Sequence, residues 1–145
     1  MAKTPRPLRV LIVEDYADAR ELYVEFLLQQ GHDAVGAEDG LEALRTARAV
    51  MPDVIVLDLN LPKLDGLSVL RRLRADPTLD AIPVLTLSAA MGSEYDEEAL
   101  EAGAVRALHK PLLPEALLEA IAQAHAEAQA ALGQAPVPRR GWGGR

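Results

Sequence analysis

The chain has 145 residues, half of them hydrophobic and about a quarter charged, which is typical of one globular domain with a hydrophobic core. The net charge of −7 argues against nucleic acid or an anionic membrane as a partner, and the lack of cysteine excludes disulfides and thiolate metal sites. No apolar run is long enough for a signal peptide or a membrane span, so we expect a cytoplasmic protein.

Three strands are predicted in the first half of the chain. The first, LRVLIVED, is a buried strand from Leu8 that ends in two acids at Asp15. DAVGAE is a weaker second strand, preceded by a helix that ends at Gly31. The third, in VIVLDLNLPKLDG, has four apolar residues from Val54 and then reaches Asp58 and a proline-containing loop. Burying that carboxylate unpaired would be costly, so it must lie where the strand emerges, among polar partners.

The helices between these strands are predicted from apolar residues at helical spacing. The first helix carries its apolar residues on one face, at Ala19, Leu22, Tyr23, Phe26 and Leu27. Asp39 is placed to cap the second helix and Asp65 the third. Their apolar faces contain Leu41, Leu44 and Ala47 in the second helix, and Leu67, Leu70 and Leu73 in the third. The third helix stops at Asp76-Pro77.

The second half of the chain continues the alternation. IPVLTLS, Ile82 to Ser88, predicts a fourth strand, and Ser93 with Asp96 resembles a capping box for an acidic helix that ends at Gly103. VRAL is a short fifth strand, and Pro114 begins a last helix with Leu117, Leu118 and Ile121. Strand and helix alternate five times, which predicts an α/β fold with a parallel sheet covered by helices on both faces. We predict one domain over residues 8–131 and a flexible tail, rich in Gly, Pro and Arg, over residues 132–145.

Polar residues follow four of the five predicted strands. In a parallel α/β sheet, ligands bind outside the carboxyl ends of the strands. Those ends deliver five candidates: Glu14, Asp15, Asp58, Ser88 and Lys110. Each alone would be an ordinary solvated strand end, whereas five at one edge of a sheet indicate a functional site.

The residue types at this edge indicate phosphoryl chemistry. Three carboxylates held close together repel one another unless a cation is bound, and an oxygen-only ligand set suits Mg²⁺ better than zinc. Lys110 is a point charge suited to a phosphoryl group, and Ser88 can donate a hydrogen bond to one. The sequence therefore predicts that Asp58 attacks phosphorus and becomes an aspartyl phosphate.

The motifs resemble the receiver domain of bacterial two-component response regulators. The similarity covers Leu8 to Ala131 and lies in VLIVED, EDGLEAL, LDLNLPKLDG, IPVLTLSA and GAVRALHKP. The separations also match the family, with 30 positions from Asp58 to Ser88 and 22 from Ser88 to Lys110. The resemblance implies a flavodoxin-like, doubly wound sheet of five parallel strands in the order 2-1-3-4-5, with five helices.

The resemblance also implies roles for the residues at this edge. Asp58 would be the phosphoacceptor, and Mg²⁺ would be ligated by Asp15, Asp58, the backbone carbonyl of Asn60 and, through a water, Glu14. The phosphoryl group would be bound by Ser88 and Lys110. The chain would act in a phosphorelay as a signalling module whose only reactions are its own phosphorylation and dephosphorylation. Its partners would be a sensor histidine kinase or a histidine phosphotransfer protein, and a downstream protein.

Two positions depart from the family pattern. The acidic pair is commonly two aspartates and here is Glu14-Asp15. Ala107 stands where most of the family has a tyrosine or phenylalanine that swings inward, a switch that alanine cannot make. We therefore expect a response confined to the loop from Ser88 to Ser93 and the acidic helix after it, with weak or no phosphorylation-driven dimerisation. His109 is interpreted as a surface residue, and the acidic run in SEYDEEALEAG as a solvated helix face.

Three functions are weighed against one another. The favoured one is a stand-alone phosphoreceiver without an output domain of its own. A Mg²⁺-dependent phosphatase of the haloacid dehalogenase type also uses a strand-end aspartate, but it needs a second acid two positions later, where this chain has Asn60. A flavin-binding module on the same fold would need a phosphate cradle after the first strand, where EDYAD would repel a phosphate.

Overall fold

The computed structural model describes residues 6–89 and 94–133. Five parallel strands form one sheet in the order β2-β1-β3-β4-β5, and five helices alternate with them along the chain. The strands are β1 (Arg9–Val13), β2 (Asp33–Ala37), β3 (Val54–Asp58), β4 (Val84–Ser88) and β5 (Arg106–His109). The helices are α1 (Ala17–Gln29), α2 (Gly40–Val50), α3 (Gly66–Ala75), α4 (Glu94–Glu101) and α5 (Pro114–Gly133). The predicted fold class and strand order are confirmed.

Helices cover the central strands on both faces, so the hydrophobic core has two halves. Side chains alternate between the faces of a strand, and Leu11 and Val13 therefore lie on one side while Val10 and Ile12 lie on the other. The first half packs against α2, α3 and α4, and the second against α1 and α5. This double burial explains why β3 is buried at every position, including Asp58 at its end.

The predicted caps at Asp39 and Asp65 are confirmed, whereas two residues of the predicted apolar faces, Leu22 and Leu41, are largely exposed. Asp39 accepts a hydrogen bond from the Glu42 amide, and Asp65 accepts one from the Ser68 amide. Leu22, in α1, is 55% exposed, because the buried face of α1 is centred on Tyr23 and Leu27 and Leu22 lies beside it. Leu41 is 49% exposed, because the buried face of α2 is formed by Gly40, Ala43, Leu44 and Ala47 and Leu41 lies outside it.

Arg74, in α3, joins three elements at the edge of the sheet opposite the candidate site. Its guanidinium donates hydrogen bonds to the carbonyl oxygens of Asp80 (3.0 Å) and Ile82 (2.8 Å), which lie before β4. It donates two more to the carbonyl of Gly103, at the C-terminal end of α4. Gly103 has φ +116, and a Cβ there would lie 2.6 Å from Arg74 Nε. Glycine is therefore required at this turn both by its conformation and by the contact.

Two of the sequence predictions reach beyond the described residues. Ser93, the first residue of the predicted capping box, lies outside them. Helix α5 ends at Gly133, and the rest of the predicted tail, residues 134–145, also lies outside. Among the described residues, none of the helices combines the length and the apolar character that crossing a bilayer requires.

Candidate functional site

The five predicted site residues meet at the carboxyl edge of the sheet. Glu14 and Asp15 directly follow β1, Asp58 and Ser88 are the last residues of β3 and β4, and Lys110 follows β5. The strands are parallel and in register, so their carboxyl ends lie side by side. The structure therefore brings together the residues that the strand-end argument selected.

Three carboxylates form the acidic part of the site. Glu14, Asp15 and Asp58 each offer an oxygen, and the three oxygens lie within 4.8 Å of one another. Glu14 is 1% exposed and Asp58 2%, whereas Asp15 is exposed. Buried acids this close repel one another strongly unless positive charge is present.

Lys110 supplies part of that positive charge. Its Nζ lies 2.8 Å from Glu14 Oε1 and 3.0 Å from Asp58 Oδ2. Partial burial acts to lower the pKa of Lys110, but the bonds to Glu14 and Asp58 outweigh it, and the pKa is raised above its usual value. The lysine is therefore charged at neutral pH. The peptide bond from Lys110 to Pro111 is cis.

Backbone groups complete the setting of the two buried acids. The Asn60 amide donates to Asp58 Oδ1 at 2.9 Å, and the Tyr16 amide donates to Glu14 Oε2 at 3.1 Å. Each carboxylate thus has one oxygen facing Lys110 and the other facing a backbone amide. These bonds set the direction in which each acid presents its remaining lone pairs.

Ser88 and Ala107 lie on neighbouring strands. Ser88 is 1% exposed, and its carbonyl accepts a hydrogen bond from the Lys110 amide at 2.9 Å. Ala107 is half-buried and pairs with Thr86 in the sheet register. Its methyl group is the whole of its side chain, so the face of β5 at this position carries no ring.

The acidic cluster fits a divalent cation. Three carboxylates against one ammonium leave an excess of two negative charges at the site, which is the charge that one divalent cation neutralises. All the side-chain donors are oxygens, the ligand chemistry of Mg²⁺. The residues that could hold such an ion are Glu14, Asp15 and Asp58.

A groove runs from the site along α1. Its volume is about 490 Å³, and its walls are Glu14, Tyr16, Ala19, Leu22, Tyr23, Lys110, Pro111 and Leu112. Leu22 and Tyr16, at 55% and 62% exposed, make its rim apolar. The groove therefore borders Lys110, whose ammonium contacts Asp58.

Contacts that the sequence reasoning missed connect α4 to the site. His109 Nε2 lies 2.7 Å from Oδ2 of Asp96, which is 8% exposed, so the prediction of a solvated helix face is wrong for Asp96, whereas the side chain of His109 is 29% exposed. Tyr95 Oη donates to the Leu59 carbonyl at 3.0 Å. The only sequence signal was a histidine beside Lys110, following a helix with several acids.

Comparison with known proteins identifies the family. The family model for the response regulator receiver domain matches residues 10–122. The chain is 44% identical over 107 residues to protein-glutamate methylesterase/protein-glutamine glutaminase 5 of Myxococcus xanthus, covering 72% of this chain and 30% of that protein. It is 40% identical over 112 residues to response regulator MprA of Mycobacterium sp. (strain KMS), covering 77% of this chain and 48% of that protein. The chain thus spans half or less of the length of these relatives.

Solved structures show the same relationship. The chemotaxis response regulator CheY4 of Vibrio cholerae superposes with a TM-score of 0.78 at 30% identity, over 82% of this chain and 99% of that one. The Francisella response regulator 1452 receiver domain gives 0.76 at 31% identity, over 83% and 98%. The chain belongs to the response-regulator receiver family, whose members are signalling modules of two-component systems. Such receivers generally bind Mg²⁺ at an acidic pocket and typically receive a phosphoryl group from histidine kinases.

Proposed function

We propose that this chain accepts a phosphoryl group on Asp58 and thereby signals to a protein partner. The observation that carries the proposal is the pairing of Lys110 with Asp58 Oδ2 at 3.0 Å, inside a cluster of three carboxylates. Phosphoryl transfer to an aspartate needs a nucleophilic carboxylate, a cationic group in contact with it and acids that can bind a metal ion.

The residues divide the work of the transfer. A carboxylate oxygen of Asp58 forms the new bond to phosphorus as the bond from phosphorus to the donor atom breaks. The Asn60 amide holds Asp58 Oδ1, which orients the carboxylate. Lys110 and Ser88 then bind oxygens of the transferred group, with Lys110 shifting from Asp58 Oδ2 to the phosphoryl oxygens.

Asp15, Asp58, Glu14 and the Asn60 carbonyl would hold the metal. Bound Mg²⁺ would neutralise charge on the transferring phosphoryl group. The acids alone would repel that group, because Lys110 offsets only one of their three charges. The chain therefore depends on the cation to accept phosphate, and chelation should abolish labelling.

The proposed partners are a phosphoryl donor and a downstream protein. The donor would be a sensor histidine kinase or a histidine phosphotransfer protein, and the groove beside Lys110, with Leu22 on its rim, offers it a surface next to Asp58. Ala107 leaves β5 without the aromatic switch of the family, which supports an output limited to α4 and its surroundings. Nothing in the comparisons supports the phosphatase alternative.

The test is intact-mass spectrometry after incubation with acetyl phosphate and Mg²⁺. We expect a gain of one phosphoryl unit, absent with EDTA and absent in Asp58→Asn. Asp65→Asn is the matched control, because Asp65 is an exposed acid in the loop that follows β3, and it should label normally. Full labelling of Asp58→Asn would show that another residue accepts the group.

A further inference from the structure

Helix α4 contacts the loop that follows the phosphoacceptor. Tyr95, in its first turn, is half-buried against the core and donates from its hydroxyl to the Leu59 carbonyl at 3.0 Å. Leu59 lies between Asp58 and Asn60, whose amide holds Asp58 Oδ1. The hydroxyl of Tyr95 therefore contacts the backbone of the residue that lies directly between Asp58 and Asn60.

The same helix contacts the strand that carries the phosphate-binding lysine. Asp96, the next residue of α4, is 8% exposed, and its Oδ2 lies 2.7 Å from His109 Nε2. His109 ends β5 and directly precedes Lys110. It also lies two positions from Ala107, on the same face of the strand, so the ring that reaches α4 on this face belongs to His109.

We infer that Tyr95 and the Asp96–His109 pair couple α4 to the state of Asp58, in place of a ring at position 107. Two consecutive residues of one helix contact both sides of the site: Tyr95 binds the backbone of Leu59, next to Asp58, and Asp96 binds the side chain of His109, next to Lys110. The inference rests on the proposed function, because it needs Lys110 to change its partner when a phosphoryl group arrives.

The coupling follows from what changes at the site. Lys110 is now bound to Asp58 and Glu14, and a phosphoryl group on Asp58 takes over part of that pairing. The positions of β5 at His109 and of the loop at Leu59 then differ between the two states. A contact that is better made in one state shifts the equilibrium by its differential free energy, so these contacts make the position of α4 depend on the site.

Hydrogen exchange of the whole chain tests the inference, with beryllofluoride and Mg²⁺ as the phosphoryl mimic. In the wild type we expect beryllofluoride to change the exchange of the α4 amides. Tyr95→Phe keeps the ring and loses only the hydroxyl, and His109→Leu keeps bulk and loses the nitrogen. Each variant should still bind beryllofluoride, which fluorine NMR detects through the bound fluoride. Each should lose part of the change in α4 exchange, and the double variant should lose all of it.

Tyr23→Phe is the matched control, because Tyr23 donates to the Leu112 carbonyl at 2.7 Å from α1 rather than α4. It deletes the same kind of hydrogen bond and should keep the α4 response. An α4 response of wild-type size in the double variant would overturn the inference, as would a bound wild type whose α4 exchange does not change. Failure of the wild type to bind beryllofluoride would instead overturn the proposed function, so the two failures are distinguishable.

Discussion

The ammonium of Lys110 lies 3.0 Å from Asp58 Oδ2, and the same nitrogen lies 2.8 Å from Glu14 Oε1. One cation therefore serves two carboxylates that are almost fully buried. Because β1, β3 and the residue after β5 each supply one partner, the pairing also holds three strand ends together. The charge balance of the site should consequently affect stability as well as phosphorylation.

Replacing Lys110 should destabilise the protein. In Lys110→Met, Glu14 and Asp58 lose their cation, and removing one partner of a fully buried pair costs about 3–5 kcal/mol. The loss should be smaller here, because the Lys110 side chain is 32% exposed and its charges are partly screened. Urea denaturation without Mg²⁺ measures it. Lys63→Met is the control, since the Lys63 side chain that pairs with Asp39 is 62% exposed, and an equal loss in both variants would contradict the prediction.

Magnesium should stabilise the unphosphorylated protein. Folding alone brings Glu14, Asp15 and Asp58 together, so the cation binds the native state and shifts unfolding by mass action. The melting temperature should rise with millimolar Mg²⁺ and the rise should be lost in Asp15→Asn. Asp33→Asn, at an exposed acid of β2, should respond like the wild type. A normal response in Asp15→Asn would mean that the cation binds elsewhere.

Arg20 should be a positioning residue for the acidic pair. Its Nη1 donates to the Glu14 carbonyl at 2.8 Å, and its side chain crosses Gly36, where a Cβ would lie 2.9 Å from Arg20 Cγ and Cδ. Arg20→Gln and Gly36→Ala should therefore both weaken Mg²⁺ binding in calorimetry, the first by removing the donor and the second by displacing it. Arg72→Gln, an exposed arginine of α3, should leave the affinity unchanged. Wild-type affinity in both test variants would show that Arg20 does not position the site.

The cap of α2 should contribute to stability. Asp39 accepts from the Glu42 amide at 2.8 Å and is 6% exposed. Asp39→Ala should lower the free energy of unfolding by about 1 kcal/mol, the usual worth of an N-cap, and Asp39→Asn by less, because asparagine also caps. Chemical denaturation measures both. Equal losses for the two variants would point to the ion pair with Lys63 rather than to the cap.

Stability should fall in acid partly through three aspartates. Hydrogen bonds from the backbone amides of Glu42, Ser68 and Thr78 hold the pKa values of Asp39, Asp65 and Asp76 below their usual 3.8. A lowered native pKa adds stability that is complete above the unfolded value and is lost as pH falls through the native one. Denaturation from pH 6 to pH 2 should show this decline, and the triple asparagine variant should show a shallower one.

The sheet and the acidic cluster could be predicted because both depend on regularities along the chain. Buried parallel strands are visible in the sequence as short apolar runs. The polar residues that follow these runs all lie at the same edge of the sheet, because the strands are parallel. Asp58 follows such a run directly, so its position needed no knowledge of its neighbours. The caps at Asp39 and Asp65 were predictable for the same reason, since a cap is made within three residues.

The contacts of α4 could not be predicted, because they depend on where separate elements meet. The acids of α4 look alike in sequence, and only the packing of the helix on β5 buries Asp96 against His109 while Glu97 and Glu98 stay exposed. The exposure of Leu22 has the same origin. The spacing of apolar residues locates the buried face of a helix only to within about one residue, and the packing decides which residues at its margin are buried.

Arg74 anchors the C-terminal end of helix α4. Its bonds to the Gly103 carbonyl hold the C-terminal end of the helix to α3, and its bonds to Asp80 and Ile82 tie that end to the start of β4, at the edge of the sheet opposite Asp58. A displacement of α4 that keeps these bonds would be a rotation of the helix about Gly103. Such a displacement would be greatest at Tyr95 and Asp96, the residues of the helix that contact Leu59 and His109 beside the site.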